Sequence, residues 1–207
     1  YLDPNERERF LEALHAGGGV VHEYEAQLVR KDGSVIWAAT SAHYVRDGSG
    51  NVVAVEGTSR DVSDRKRAEA EMYKLSSALQ QTADAVMITD REGLIEYVNP
   101  AFEEITGFTR DEVIGEPASI LRSGRHSGSF YRAMWNKILA GEVFSDIVIN
   151  KRKDGSHYYE AKTVTPLIGK DGEITHFVST GKDITEQMEA QERLQYMAHH
   201  DVLTDLP

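Results

Sequence analysis

Cysteine is absent from this sequence. Disulfide bonds, thiolate metal sites and thiol nucleophiles are therefore excluded. Long apolar runs are also missing, because the longest are only a few residues and a membrane-spanning helix needs roughly 20. No signal peptide opens the chain. From these absences we expect no membrane contact from this stretch of sequence and a cytoplasmic location.

Positive charge is scarce as well. The 207 residues include 23 Lys and Arg against 34 Asp and Glu, which makes the net charge −11. This balance argues against nonspecific binding to nucleic acid or to anionic lipid, since both need a basic surface. The eight histidines are scattered without metal-ligand spacing. We therefore predict no catalytic residues and no metal site in this stretch.

What the sequence does contain is a repeat. "RKDGS" occurs at residues 30–34 and again at 152–156, an offset of 152 − 30 = 122 residues. Asp61 and Asp183 keep the same offset, and such constant spacing indicates a duplicated unit. The first copy lacks any counterpart of residues 84–122. Since the chain also begins without methionine, we expect an internal fragment with two tandem domains, the first of them incomplete.

The second copy has a readable order of elements. Two short strands (84–90 and 94–99) precede a helix that begins at Asn99 and Pro100, a typical N-cap and first helical position. A longer helix is predicted at 127–141, followed by three strands joined by the tight turns "KDGS" and "GKDG". This order predicts an α+β domain whose five-stranded antiparallel sheet carries helices on one face.

These segments resemble the PAS family with its carboxy-terminal motif. The matches are "NPAFEEITGFTRDEVIG" at 99–115, the doubled "RKDGS", and the endings "RDVSD" and "GKDITE". The resemblance implies a sensory and dimerising module that passes its signal through the helix after the last strand. We predict five segments: the C-terminal part of a first PAS domain (1–63), a linker helix (64–83), a complete second PAS domain (84–183), a signalling helix (184–200) and the start of a further domain (201–207).

The two domain endings are candidates for signal relay. Asp183 with Glu186 has capping-box spacing, and Asp61 with Asp64 is a weaker version of it. Such a cap sets the angle at which a helix leaves the sheet. We predict that Asp61, Asp183, Thr185 and Glu186 relay the signal, and the alternative is that they only cap their helices.

The linker helix carries an apolar stripe. Met72, Leu75 and Leu79 recur at coiled-coil spacing on an otherwise charged segment without Gly or Pro. We predict that this seam forms a homodimer, and the alternative is that it packs against the domain's own sheet. The helix at 184–200 repeats the pattern less cleanly.

The final residues, "HDVLTDLP" at 200–207, resemble the entry to a GGDEF domain. This resemblance implies that the output domain in cis is a diguanylate cyclase, which makes cyclic di-GMP from GTP, and that the present stretch is not itself an enzyme. The alternative is a sensor histidine kinase, with His199 or His200 as the phosphoacceptor on a dimerising helix. Against it, no basic residue follows His200, and the proline lies seven residues beyond.

The resemblance to the PAS family also suggests which cofactors to consider. Without cysteine, the flavin–cysteine adduct of light-sensing PAS domains cannot form. Haem is not expected either, because His126 lies before the long helix and not on it. FAD is the remaining option, since "ILRSGRHSGSFYRAMWNKILAG" resembles redox-sensing PAS domains of nitrogen-fixation and methane-oxidation regulators.

In that resemblance Trp135 aligns with a pocket tryptophan and Asn150 with an asparagine that faces the flavin's polar edge. The acidic residue expected near Ala118 and the small hydroxyl expected near Met87 are missing. The alternative is a pocket for a smaller molecule, or no ligand. The predicted apolar wall consists of Ile88, Phe102, Ile105, Ile120, Leu121, Trp135 and Ile149, with Asn150 as the polar fixing point.

Overall fold

A computed structural model of the chain describes residues 1–199. The chain divides into two compact units, Tyr1–Leu75 and Ser76–Pro207. Each unit is built around an antiparallel sheet. Within the described residues no helix combines the length and the apolar character needed to cross a bilayer.

The first unit consists of one helix and a three-stranded sheet in the order β1-β2-β3. Its elements are α1 (Glu6–Ala16), β1 (Val20–Val29), β2 (Val35–Arg46), β3 (Val52–Asp61) and the beginning of α2 (Ser63–Gln81). Phe10 and Leu14 of α1 are buried against the sheet, where Phe10 meets the Tyr24 ring edge-on at 5.4 Å. Every residue of β3 is exposed. The core of this unit is therefore small and lies under α1.

The second unit has a five-stranded sheet in the order β5-β4-β8-β7-β6, with every neighbouring pair antiparallel. Its elements are β4 (Ala85–Asp90), β5 (Ile95–Val98), α3 (Pro100–Thr106), α4 (Arg110–Val113), a 3₁₀ helix (Ala118–Leu121), α5 (Gly128–Leu139), β6 (Phe144–Lys151), β7 (His157–Ile168), β8 (Ile174–Asp183) and α6 (Thr185–His199). The predicted α+β fold with two strands before the helices and three after them is confirmed.

Local sequence accounts for where the helices of the second unit begin. The Asn99 side chain accepts from the backbone N–H of Phe102, and Pro100 takes the first helical position of α3. Ser127 accepts from the backbone N–H of Phe130 at the start of α5. Both helix starts lie where the polar residue and its spacing predict them.

The core of the second unit consists of two hydrophobic clusters. The first lies between β4, β5 and the short helices and includes Met87, Phe102 and Leu121. The second lies between α5 and strands β6 to β8 and includes Val148 and Phe177, with Trp135 packed against it.

Candidate functional site

The last strand of the second unit joins α6 through a hydrogen-bonded junction. Asp183 Oδ1 accepts from the backbone N–H of Thr185 at 2.9 Å, and Arg152 Nη2 donates to Asp183 Oδ2 at 2.7 Å. Thr185 Oγ1 in turn accepts from the backbone N–H of Tyr159, and the Ile184 N–H donates to the Tyr159 carbonyl. The first turn of α6 is thus attached to the sheet near the beginning of strand β7.

The first unit builds the same junction 122 residues earlier. Arg30 Nη2 donates to Asp61 Oδ2 at 2.5 Å, and Asp61 Oδ1 accepts from the backbone N–H of Ser63. Ser63 Oγ accepts from the N–H of Trp37, the counterpart of Tyr159. The repeated sequence therefore folds into a repeated joint between a sheet and the helix that leaves it.

This joint differs from the predicted capping box. A capping box would place the Asp183 carboxylate on the N–H of Glu186. The carboxylate instead binds the N–H and hydroxyl of Thr185, two residues on, and Glu186 is exposed on α6. The hydroxyl of Thr185 competes successfully for the carboxylate because it is closer along the chain.

Burial acts to raise the pKa of the Asp183 carboxyl, but hydrogen bonds from Thr185 and Arg152 outweigh it and hold the pKa below its ordinary value. The carboxyl is therefore ionised at neutral pH and available for both bonds. Its side chain is about a quarter exposed, as is that of Arg152, so the pair is shielded more than an ordinary surface salt bridge.

The predicted dimer seam lies on the outside of α2. Met72 is 71% exposed, Leu75 60% and Leu79 40%. The end of the same helix belongs to the second unit, where Asn99 Nδ2 donates to the carbonyl of Leu79 at 3.1 Å. The apolar side chains of the seam are thus available to a partner while the backbone near Leu79 is anchored.

A cavity of about 210 Å³ lies in the second unit between α5, the 3₁₀ helix and the sheet. Trp135 and Asn150 both line it, as predicted for the ligand site. Its apolar wall draws on both core clusters and is formed by Met87, Pro117, Ala118, Leu121, Met134, Trp135 and Val148. The cavity therefore lies between the two hydrophobic clusters.

Part of the predicted wall is wrong. Of the apolar residues named from sequence, Leu121 and Trp135 line the cavity, and Phe102, Ile105 and Ile120 belong to the first core cluster. Ile149 cannot share the cavity with Asn150, because neighbouring strand residues point to opposite faces. Val148 takes its place, and Met87 takes that of Ile88 for the same reason.

The sheet side of the cavity carries a buried ionic cluster, of which Asn150 and Lys162 line the cavity. Asn150 Nδ2 donates to Glu160 Oε2 at 2.5 Å, and Lys162 Nζ donates to the same oxygen at 3.1 Å. Glu160 is 4% exposed, so its carboxylate depends on these two partners for compensation. Tyr158 lies directly across from Asn150 on β7, and burial raises the pKa of its hydroxyl, so Tyr158 is neutral.

The opposite side of the cavity presents a hydroxyl without a partner. The Tyr131 Oη atom is buried and has no hydrogen-bond partner among residues 1–199. Arg122 stacks its guanidinium over the Tyr131 ring at 4.2 Å and also lines the cavity. Burial raises the pKa of the Tyr131 hydroxyl, although the Arg122 charge opposes it. Tyr131 therefore offers a neutral O–H group.

The size of the cavity tests the fit of FAD. Pockets for drug-sized ligands span about 300–1,000 Å³, and this cavity is smaller, at about 210 Å³. Trp135 closes one side, since its ring meets Phe177 edge-on at 5.6 Å and lies against the backbone of Gly93. A small ligand therefore matches the space, and FAD stays a prediction.

Sequence reasoning found Trp135 and Asn150 and missed four polar residues around the cavity, which are Arg122, Tyr131, Glu160 and Lys162. Tyr131 lies one helical turn before Trp135, and Glu160 and Lys162 alternate on the inner face of β7. These two periodicities were available in the sequence. Arg122 had no such signal, because it follows the 3₁₀ helix in an irregular segment.

Comparison with known proteins identifies the family. A family model described as the PAS fold matches residues 73–184, and a second model with the same description matches residues 1–59. The chain belongs to the PAS family, whose members serve as sensory domains in signalling proteins.

Three curated proteins illustrate its relatives. A bacterioopsin transcriptional activator of Halobacterium salinarum is 31% identical over 61% of this chain. The sensor protein FixL of Bradyrhizobium diazoefficiens is 27% identical over 94% of it, and the probable diguanylate cyclase DgcE of Escherichia coli is 28% identical over 88% of it. The chain spans 19%, 40% and 17% of the lengths of these three proteins, respectively.

Among solved structures, an RNA-binding light-oxygen-voltage receptor matches 95% of this chain and 86% of its own length, with a TM-score of 0.54 and 17% sequence identity. This similarity concerns the fold.

Proposed function

We propose that the chain is a sensory and dimerisation module of two tandem PAS units that relays a stimulus through α2 and α6 to a C-terminal diguanylate cyclase domain. The observation that carries this proposal is the joint at Asp183. The joint attaches α6 to β7, and β7 also carries Glu160, which binds Asn150 at the cavity. A change in the cavity would therefore reach α6 through one strand.

The choice of output domain rests on the end of the sequence. "HDVLTDLP" at 200–207, which lies outside the described residues, resembles a GGDEF entry, and the alignment with DgcE covers 88% of the chain. The alignment with FixL covers 94% and keeps a histidine kinase as the second candidate.

The identity of the output domain is tested by supplying the full-length protein with GTP and, separately, with ATP. Formation of cyclic di-GMP from GTP is the expected result. Transfer of phosphate from ATP to His199 or His200, abolished by replacing both with glutamine, would instead establish the kinase and contradict the cyclase.

The relay itself predicts an effect of Asp183→Asn. The amide keeps the size of the side chain but weakens the bonds to Arg152 and Thr185, so the basal output of the full-length protein should change about fivefold or more, the lower limit of typical allosteric coupling. Output is measured by product formation, and thermal unfolding checks that the unit still folds.

Glu112→Gln is the matched control for this substitution. It weakens another ion pair of the same unit, between Glu112 and Lys153, which does not touch α6. Its output should equal that of the wild type. Equal output from Asp183→Asn and the wild type would contradict the relay.

Dimerisation through α2 predicts a change in mass. The double substitution Leu75→Glu and Leu79→Glu places two charges in the seam and should yield monomers in sedimentation, because an apolar coiled-coil interface does not tolerate buried unpaired charges. Ala78→Glu with Gln81→Glu adds the same charges on exposed positions off the stripe and should leave the dimer intact. A dimer that persists in the seam variant would place the interface elsewhere.

A further inference from the structure

The residues that line the cavity restrict which class of ligand it can bind. This inference rests on the proposed sensory role of the second unit. The space of about 210 Å³ lies below the range of about 300–1,000 Å³ that is typical of pockets for drug-sized ligands. Most of its wall is apolar, with Met134 and Trp135 of α5 facing the sheet. A small molecule with an apolar body fits such a space.

The charges on the sheet side of the cavity already neutralise one another. Glu160 holds both Asn150 and Lys162 through one carboxylate oxygen. The Lys162 and Glu160 side chains are only 12% and 5% exposed. Because breaking a buried pair leaves an uncompensated charge, these groups are already occupied with each other and are not the binding groups for a charged ligand.

The side of the cavity opposite the sheet carries two hydrogen-bond donors that can bind a ligand. Buried hydroxyls in proteins nearly always have a hydrogen-bond partner, and the Tyr131 hydroxyl has none within the described residues. Arg122 lines the cavity beside it, and the salt bridges among residues 1–199 do not include Arg122. A phenol O–H and a guanidinium together match a carboxylate, which accepts several hydrogen bonds and carries the opposite charge.

We propose that the cavity binds a small monocarboxylic acid with an apolar body, its carboxylate on Tyr131 and Arg122 and its body between Trp135 and Val148. One acidic group fits better than two, because Glu92 also lies on the cavity lining and repels a second carboxylate.

Fluorescence of Trp135 provides the test. The chain has two tryptophans, so the substitution Trp37→Phe leaves Trp135 as the reporter. Benzoate and 4-methylpentanoate are the probes, and benzamide is the neutral match for benzoate. At least one of the two acids should change the emission saturably, and benzamide should bind about tenfold more weakly or worse, a difference that one charge-assisted contact supplies.

The substitution Tyr131→Phe removes the hydroxyl and keeps the ring beneath Arg122. It should weaken binding of the acid about tenfold, whereas Tyr73→Phe removes an exposed hydroxyl on α2 and should change nothing. Arg122→Gln should abolish the preference for the acid over the amide.

Three results would overturn the proposal: no emission change with either acid, equal affinity for benzamide and a benzoate that binds, or unchanged affinity of the acid that binds in Tyr131→Phe. Binding is measured without any output reaction. A negative binding result would therefore not contradict the relay or the cyclase, which have separate tests. Conversely, a full-length protein that makes no cyclic di-GMP would not alter the binding result.

Discussion

Replacing Asn99 with alanine is expected to lower the free energy of unfolding of the second unit by about 3 kcal/mol, since several backbone groups lose their partner at once. Asn99 is 1% exposed. Its Oδ1 accepts from the N–H groups of Val86 and Phe102, and its Nδ2 donates to the carbonyls of Leu79 and Asp84. One amide therefore caps α3, binds β4 and holds the end of α2.

Two further variants separate these roles in urea or thermal unfolding. Asn99→Asp keeps both acceptor bonds but turns an oxygen toward the carbonyls of Leu79 and Asp84, so its loss combines the two donor bonds with the cost of burying a carboxylate. Asn136→Ala removes an exposed asparagine from α5 and should change stability by less than about 0.5 kcal/mol. If Asn99→Ala loses no more than an ordinary cap, about 1 kcal/mol, the bonds to α2 and β4 contribute nothing.

The second large effect is expected at Gly181. A Cβ atom there would lie 1.7 Å from Glu160 Oε1 and 2.4 Å from its Cδ. Glu160 cannot simply rotate away, because its other oxygen is held by Asn150 and Lys162. Gly181→Ala should therefore destabilise the second unit by about 3 kcal/mol, at the upper end of ordinary overpacking. Chemical denaturation of the purified chain measures the loss.

A double-mutant cycle attributes that loss to the clash. Glu160→Ala removes the side chain that collides with the new methyl group, so the double variant should lose clearly less stability than the sum of the two single variants. Gly128→Ala is the control, since its Cβ would meet only Arg132 Nη1 at 3.5 Å and should be tolerated. Additive losses would mean that Gly181 is needed for a reason other than Glu160.

Much of the fold could be predicted from sequence because the signals are local. The order of strands and helices along the chain, the N-cap at Asn99 and the start of α5 at Ser127 each depend on a few neighbouring residues and their backbone geometry. The repeated sequence also made the relation between Asp61 and Asp183 visible, and both residues lie at equivalent joints. The partner of each carboxylate was not visible, since Arg30 and Arg152 are 31 residues away along the chain.

The cavity, too, was only partly predictable from the sequence. Trp135 and Asn150 were placed correctly at the cavity through family resemblance, but the wall around them was partly wrong because strand alternation was ignored at Ile149. The size of the space was not accessible to sequence at all. It depends on how closely α5 and the 3₁₀ helix approach the sheet, and packing of the whole unit sets that approach.

The sequence by itself determined the elements, the duplication, the net negative charge and the absence of thiol chemistry, because composition, periodicity and helix capping act over a few residues. Only the tertiary structure decided that Glu160 is compensated by Asn150 and Lys162 and that Asn99 holds α2. It also decided that the Tyr131 hydroxyl, beside Arg122, has no partner in the described part of the chain. Those outcomes depend on groups from separate strands and helices meeting at hydrogen-bonding distance, and packing of the whole unit sets such distances.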